Sequence, residues 1–144
     1  MAQMPAGYST RSLPDKLGIK AGARIALVAA PKGYDATLGK LPQGVTPAKA
    51  LRGPLDLIHV FVKSRAELAR RFPVLKKALA IDGALWVSWP KKASGVATNL
   101  AEDAIREIGL AHGLVDVKVC AVDETWSGLK FVYRLADRGK ATRN

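Results

Sequence analysis

Three short apolar runs mark the sequence, at residues 24–30, 56–62 and 84–89. Each run has the length of a strand, is rich in β-branched or aromatic residues, and is bounded by Gly, Pro or Asp. Nearly continuous apolar character is typical of strands that are covered on both faces, as in a parallel sheet. The pattern therefore predicts three parallel strands at these positions.

A capping pattern predicts a helix between the second and third strands. Ser64 and Glu67 have the spacing of a capping box, in which each side chain satisfies a free backbone N–H group of the other. We expect the helix that begins there to break near Phe72, because Pro73 clashes with the preceding turn, and to restart through residues 75–79.

A similar pattern follows the third strand. Asn99 stands as the capping residue three positions before Glu102. Apolar residues then recur at helical spacing, and Gly113 marks the end of the predicted helix.

The last part of the chain alternates apolar and polar residues. Segments 115–122 and 128–135 both show this period of two, which is typical of strands with one exposed face. Ser127 and Gly128 supply a turn between them, so the pattern predicts an antiparallel hairpin.

The order of elements predicts an α/β fold with a three-layer, Rossmann-like sheet that the hairpin extends. We expect one domain over residues 1–144. Segment 33–54, rich in Pro and Gly, is interpreted as a loop with one short helix around 48–51. We expect residues 1–12 and 137–144 to be mobile tails.

Composition narrows the class of protein. The 144 residues are 49% apolar, which excludes a largely disordered chain, and the single Cys120 excludes a disulfide framework. No segment has the pattern of a signal peptide or of a membrane-spanning helix, so we expect a cytoplasmic protein that does not interact with a membrane.

The net charge of +11 is unevenly distributed. Residues 1–54 carry eight cations and two acids, a net charge of +6, and residues 134–144 carry four cations and one acid, a net charge of +3. This distribution is compatible with a nucleic-acid partner, although the sequence contains no recognised nucleic-acid-binding module.

Three motifs resemble a small bacterial family. They are Leu17-Gly-Ile-Lys20, the stretch Gly83-Ala-Leu-Trp-Val-Ser-Trp-Pro-Lys-Lys92 with Ala-Ser-Gly after it, and Val119-Cys-Ala-Val-Asp-Glu-Thr-Trp126. They are similar to the family catalogued as domain of unknown function number three thousand and fifty-two, over residues 8–134. The resemblance implies no activity, because none is assigned to that family.

The chain also resembles, more loosely, a truncated class I methyltransferase fold. This resemblance implies that strand 129–135 pairs with strand 84–89. The turn Ala30-Pro-Lys-Gly-Tyr34 departs from that fold because it holds one glycine, and the second strand, which would end in an acidic ribose ligand, is expected to be absent. These departures argue against binding of the methyl donor, and the missing G-x-G-x-x-G argues against a dinucleotide site.

Cations follow each of the three parallel strands. Ligands of open parallel sheets bind beyond the carboxyl ends of the strands, so these cations predict an anion-binding rim, with serine hydroxyls as further donors. The predicted binding residues are Lys32, Lys63, Ser64, Arg65, Lys91, Lys92 and Ser94. The alternative is that Lys and Arg simply favour exposed loops in a basic chain.

Trp89 and Trp126 are candidate stacking surfaces for the ring of a ligand. The alternative, which we favour, is that both cap the core, and Trp86 is expected to be a core residue.

Other reactive side chains carry no catalytic pattern. Asp123 and Glu124 are candidates for a general base or a metal ligand, but they fit better as solvated turn residues or as counter-charges to the basic rim. His59 and His112 fit structural roles, and Cys120 fits a small hydrophobic residue. The sequence therefore predicts no catalytic residues, no metal site and no cofactor, and whether the chain is an enzyme stays open with a tendency against it.

Three functions remain. The first is a non-catalytic domain that binds a small anionic ligand, namely a phosphate, nucleotide or carboxylate, at the strand ends. The alternative is a basic protein associated with nucleic acid or the ribosome. The third is a degenerate relative of the methyltransferase fold that does not bind the methyl donor.

Overall fold

The structure is a computed structural model that describes residues 11–141, and the side chains of residues 11–138. Within this range the chain forms alternating helices and strands. In chain order they are α1 (Leu13–Leu17), β1 (Arg24–Val28), α2 (Tyr34–Leu38), β2 (Thr46–Pro47), β3 (Leu55–Phe61), α3 (Arg65–Ala78), β4 (Leu79–Pro90), α4 (Glu102–Ala111), β5 (Leu114–Ala121), β6 (Trp126–Tyr133) and α5 (Leu135–Ala141).

The strands form one sheet in the order β2-β1-β3-β4-β6-β5. The first four are parallel, and β6 is antiparallel to both β4 and β5. The pairing of Val87 with Leu129 confirms that the last strand lies beside the parallel ones. The predicted α/β class with its C-terminal hairpin is confirmed.

The hairpin turn lies elsewhere than predicted. Ser127 and Gly128 are ladder residues of β6, opposite Ala121 and Cys120, so they do not form the turn. The turn lies at residues 122–125. There the Asp123 carboxylate accepts the backbone N–H groups of Thr125 and Trp126.

Segment 33–54 contains more structure than predicted. Tyr34 and Leu38 are buried and hold the short helix α2, whereas the expected helix at 48–51 does not form. Thr46 and Pro47 form β2 beside β1, so the strand thought to be absent exists as two residues. Helix α2 and strand β2 form because their residues pack against or pair with distant parts of the chain. Local sequence propensity does not show such contacts.

The predicted break in α3 does not occur, because the helix runs continuously past Pro73. Its buried side chains lie on both sides of that proline, at Leu68, Phe72, Leu75 and Ala78. Burial of this apolar face offsets the roughly 3 kcal/mol that an interior proline costs.

The predicted cap of α4 is also wrong. Ala101 occupies the N-cap position, and Asn99 lies outside the helix. The Asn99 Oδ1 atom instead accepts the backbone N–H of Arg65 at 2.9 Å, which ties this loop to the start of α3.

Two apolar layers cover the sheet, one on each face. The first joins α3 and α4 to the sheet through residues such as Phe72, Ile105 and Phe131. The second lies under the short helices α1 and α2, and Trp86 anchors it by donating its indole N–H to the Leu17 carbonyl at 2.9 Å. In the described part of the chain, no helix has the length and apolar character needed to cross a membrane.

The expected tails fall largely outside the described residues. Where residues 1–12 and 137–144 are described, Ser12 caps α1 and α5 extends to Ala141.

Candidate ligand-binding site

A cleft of about 300 Å³ opens at the carboxyl ends of β1 and β3 and beside the start of β6. This edge is where parallel sheets commonly bind ligands. Its lining comes from four separate segments of the chain, namely Ala29, Pro31, Phe61, Lys63, Glu67 and Trp126.

An aromatic pair forms the apolar part of this cleft. The rings of Phe61 and Trp126 meet edge to face, with their centroids 5.1 Å apart. Trp126 is 6% exposed, so it is a core residue that presents one margin to the cleft. Both interpretations of this tryptophan, core cap and ring contact, are compatible with this placement.

Charge in the cleft comes from one lysine and one carboxylate. Glu67 accepts the backbone N–H of Lys63 at 3.1 Å and the Arg71 guanidinium at 3.3 Å, so its negative charge is already compensated. The Lys63 side chain is exposed and forms no ion pair with any of the described residues. The cleft is therefore positive on balance.

The backbone at the rim is strained at one residue. Ala29 has a φ of 57°, in the left-handed region that costs a residue with a side chain about 1–2 kcal/mol. Such conformations concentrate at binding and switch regions. Ala29 lines the cleft, which is consistent with that tendency.

Three of the predicted binding residues have hydrogen-bond partners within the protein. The Ser64 hydroxyl caps α3 by accepting the Glu67 N–H, and the Ser94 hydroxyl donates to the Lys91 carbonyl at 2.7 Å. Arg65 is held against Asn99. None of these three lines the cleft.

The remaining predicted residues, Lys32, Lys91, Lys92 and Trp89, are not among the residues that line the cleft. Lys32 and Lys92 are exposed, and the Lys91 N–H donates to the Thr125 carbonyl directly before Trp126. Trp89 is 7% exposed and packs in the apolar layer under α3 and α4, which favours its interpretation as a core residue.

A buried polar relay lies behind the aromatic pair. The His59 ring accepts or donates hydrogen bonds at both nitrogens, to the Tyr34 hydroxyl at 2.7 Å and to the Ser88 hydroxyl at 2.6 Å. Burial lowers the pKa of His59 to about 3, so the ring is neutral. Because His59 and Ser88 are fully buried, the relay is a structural support for Phe61, on which His59 stacks.

The other residues with possible chemistry are structural as well. The His112 ring stacks on Phe72 and bonds to the Ile108 carbonyl. Cys120 packs against the second apolar layer, and burial raises the pKa of its thiol. In residues 11–141, no group of three or more His, Cys, Asp or Glu residues is arranged to hold a metal ion.

Four lining residues are absent from the predicted binding residues, namely Ala29, Pro31, Phe61 and Glu67. Glu67 was interpreted only as a helix cap, and Phe61 only as part of a strand. Ala29 carries no sequence signal, because its left-handed conformation is visible only in the backbone.

Comparison with solved structures identifies the fold. The chain is similar to a TehB-like SAM-dependent methyltransferase from Corynebacterium glutamicum, with a TM-score of 0.55 and 12% identity over 90% of this chain and 91% of that one. It is also similar to the Bacillus subtilis tRNA methyltransferase TrmK, with a TM-score of 0.53 and 14% identity over 95% and 70% of the two chains.

A third similar structure is the magnesium protoporphyrin IX methyltransferase of Synechocystis, with a TM-score of 0.54 and 12% identity over 85% and 74% of the two chains. At these identities the likeness shows the methyltransferase-like Rossmann fold alone. No family model and no curated protein matches the chain.

The residues present do not fit the SAM site that this fold suggests. The turn after β1 contains Gly33 as its one glycine and includes Pro31. The two-residue β2 is followed by Ala48 and Lys49, so no carboxylate stands where a ribose ligand is expected.

Proposed function

We propose that this chain is a methyltransferase-fold protein that binds a small ligand with an anionic group and a planar ring, such as a nucleotide, without transferring a methyl group. The observation that carries the proposal is the cleft itself, in which Lys63 stands beside the Phe61–Trp126 aromatic pair at the carboxyl edge of the sheet.

Each part of the cleft has a role in this proposal. The Lys63 ammonium binds phosphate or carboxylate as a point charge. Trp126 and Phe61 offer apolar edges to a base or another ring. Lys32 directly follows the lining residue Pro31, and the backbone of Lys91 is bonded to the residue before Trp126, so both lysines add positive potential near the cleft and attract an anion.

We propose further that the methyl donor does not bind, because Pro31 stands in the turn after β1 and Lys49 follows β2. We also propose membership of the bacterial domain-of-unknown-function family number three thousand and fifty-two, on the Trp86–Lys92 motif.

A melting-temperature screen tests the proposal, with inorganic phosphate, AMP, ATP and SAM as separate ligands. A nucleotide is expected to raise the melting temperature by several degrees at saturation, more than phosphate does, because it also uses the ring contact. SAM alone raising the melting temperature would overturn the proposal in favour of methyl-donor binding, and no response to any ligand would overturn it outright.

A further inference from the structure

A second cavity, of about 400 Å³, opens at the amino ends of β3 and β4. It lies at the opposite edge of the sheet from the cleft, and the two share no lining residue. The connection between α1 and β1 lines it, together with residues of β3, β4 and β6. Its volume falls within the roughly 300–1,000 Å³ that is usual for sites of small molecules.

Four charged side chains line this cavity, two of each sign. Asp56 and Asp82 come from β3 and β4, whereas Lys20 precedes β1 and Lys130 lies on β6. Asp56 also accepts the backbone N–H of Arg24 at 2.8 Å, which holds its carboxylate in place. None of the four forms an ion pair with any residue in the described part of the chain. Both signs of charge are therefore available to a ligand.

The Lys130 ammonium group has a defined position at the wall of the cavity. A Cβ atom at Gly18 would lie 4.0 Å from the Lys130 Nζ atom, so the ammonium stands over that glycine. Burial and the charge of Lys118, its cross-strand neighbour, lower the pKa of Lys130. A carboxylate bound in the cavity would offset both effects, because it would place a counter-charge beside the ammonium.

We propose that this cavity binds a small zwitterion, namely an amino acid with an uncharged side chain. The carboxylate of the ligand contacts the two lysines, and its ammonium group contacts the two aspartates. The charges of these four residues cancel, which favours a ligand whose own charges also cancel. Leu57 and Ala84 line the same cavity and offer apolar surface to the side chain of the ligand.

A ligand with a single charge fits this cavity less well. An anion such as phosphate is attracted by the lysines but repelled by the aspartates, and a simple amine meets the reverse. Such unmatched charges are a common source of specificity, because they penalise the wrong ligand. The cavity is therefore expected to select the zwitterion over either of its singly charged derivatives.

Melting temperatures measured with glycine, L-alanine and L-leucine give the first test. At least one of the three is expected to raise the melting temperature at saturation, and a response to none of them would overturn the proposal. The amino acid with the largest effect is then titrated calorimetrically beside its N-acetyl derivative, which keeps only the carboxylate, and its methyl ester, which keeps only the ammonium group. It is expected to bind about tenfold more tightly than either derivative. Equal affinity for a derivative would contradict the proposal.

Two variants separate the ends of the ligand. Asp82→Asn is expected to weaken the amino acid about tenfold and to reduce its advantage over the N-acetyl derivative. Lys130→Gln is expected to weaken it similarly and to reduce its advantage over the methyl ester. If either variant weakened all three ligands by the same factor, its residue would have only a structural role and the proposal would fail.

The matched controls are Glu107→Gln and Lys77→Gln, which remove the same charges from exposed positions that do not line the cavity. Both are expected to bind the amino acid as the wild type does, and losses as large as those of the cavity variants would overturn the proposal. Asp82 is exposed, so Asp82→Asn is expected to keep the melting temperature of the free protein. The test therefore does not depend on the folding of Lys130→Gln.

Discussion

The two faces of the sheet differ in the helices that cover them and in the side chains that they carry. The face under α3 and α4 is closed by long helices and lined by apolar side chains such as Phe72, Ile105 and Phe131. The face under α1 and α2 is covered by two one-turn helices, and its strands carry His59, Ser88, Lys118 and Lys130 among the apolar residues. The first face supplies stability, whereas the second face supplies polar and charged groups that a core does not need.

The largest expected effect is on the first face. Phe72→Ala removes a fully buried ring that contacts Phe131 edge to face, and it is expected to lower the free energy of unfolding by about 3–5 kcal/mol. Urea unfolding measures it. Leu38→Ala on α2 is the comparison and is expected to cost less, because a one-turn helix relaxes around the cavity. Equal losses in the two variants would contradict the division between the faces.

The second face is expected to be sensitive to pH through His59. Burial lowers the pKa of this ring from 6.5 to about 3 in the folded protein, so the unfolded chain binds the proton more tightly. The stability from neutral His59 is therefore complete above pH 6.5 and is lost as the pH falls towards 3. Unfolding free energy is expected to fall by about 2 kcal/mol between about pH 7 and pH 5.

The control for this effect compares the two histidines of the chain. His59→Gln is expected to flatten the dependence of unfolding free energy on pH over that window, even if it lowers stability overall. His112→Gln, at the half-buried end of α4, is expected to keep it. A wild-type slope retained in His59→Gln would show that other groups cause the acid sensitivity.

The smallest expected effect is a gain of stability at the cross-strand lysine pair. Lys118→Gln removes repulsion against Lys130 and is expected to raise the free energy of unfolding by roughly 0.2–1 kcal/mol at low salt. The gain is expected to shrink as salt screens the pair. A loss of stability at low salt would mean that the two ammonium groups do not repel each other in the fold.

The elements that depend on interactions between neighbouring residues could be predicted from the sequence. The parallel strands, the Ser64 cap of α3 and the hairpin follow from short-range periodicity and capping. The elements that were not predicted correctly depend on contacts between residues that are distant in the sequence. Tyr34 forms part of α2 because it reaches His59, and Asn99 leaves α4 uncapped because Arg65, 34 residues away, uses its side chain.

The sequence predicted a site at the carboxyl edge of the parallel strands, which is the edge where the cleft opens, and it named more residues than line that cleft. Every parallel strand was followed by cations, and of these only Lys63 lines the cleft. Sequence spacing does not show that the loop of Asn99 folds back onto the start of α3 at Arg65, 34 residues away. It also does not show that the Ser94 hydroxyl donates locally to the Lys91 carbonyl. Trp126 reaches the cleft because β6, and not β5, lies next to the parallel strands in the sheet.

Calorimetric titration of a nucleotide into the wild type and two cleft variants tests the central claim most directly. The account predicts that AMP binds the wild type, that Lys63→Gln weakens it about tenfold or more through loss of a charged contact, and that Trp126→Phe weakens it through loss of ring contact. The Lys77→Gln variant changes an exposed position on α3 and is expected to bind AMP as the wild type does. Equal AMP affinity in Lys63→Gln and Lys77→Gln would contradict the account.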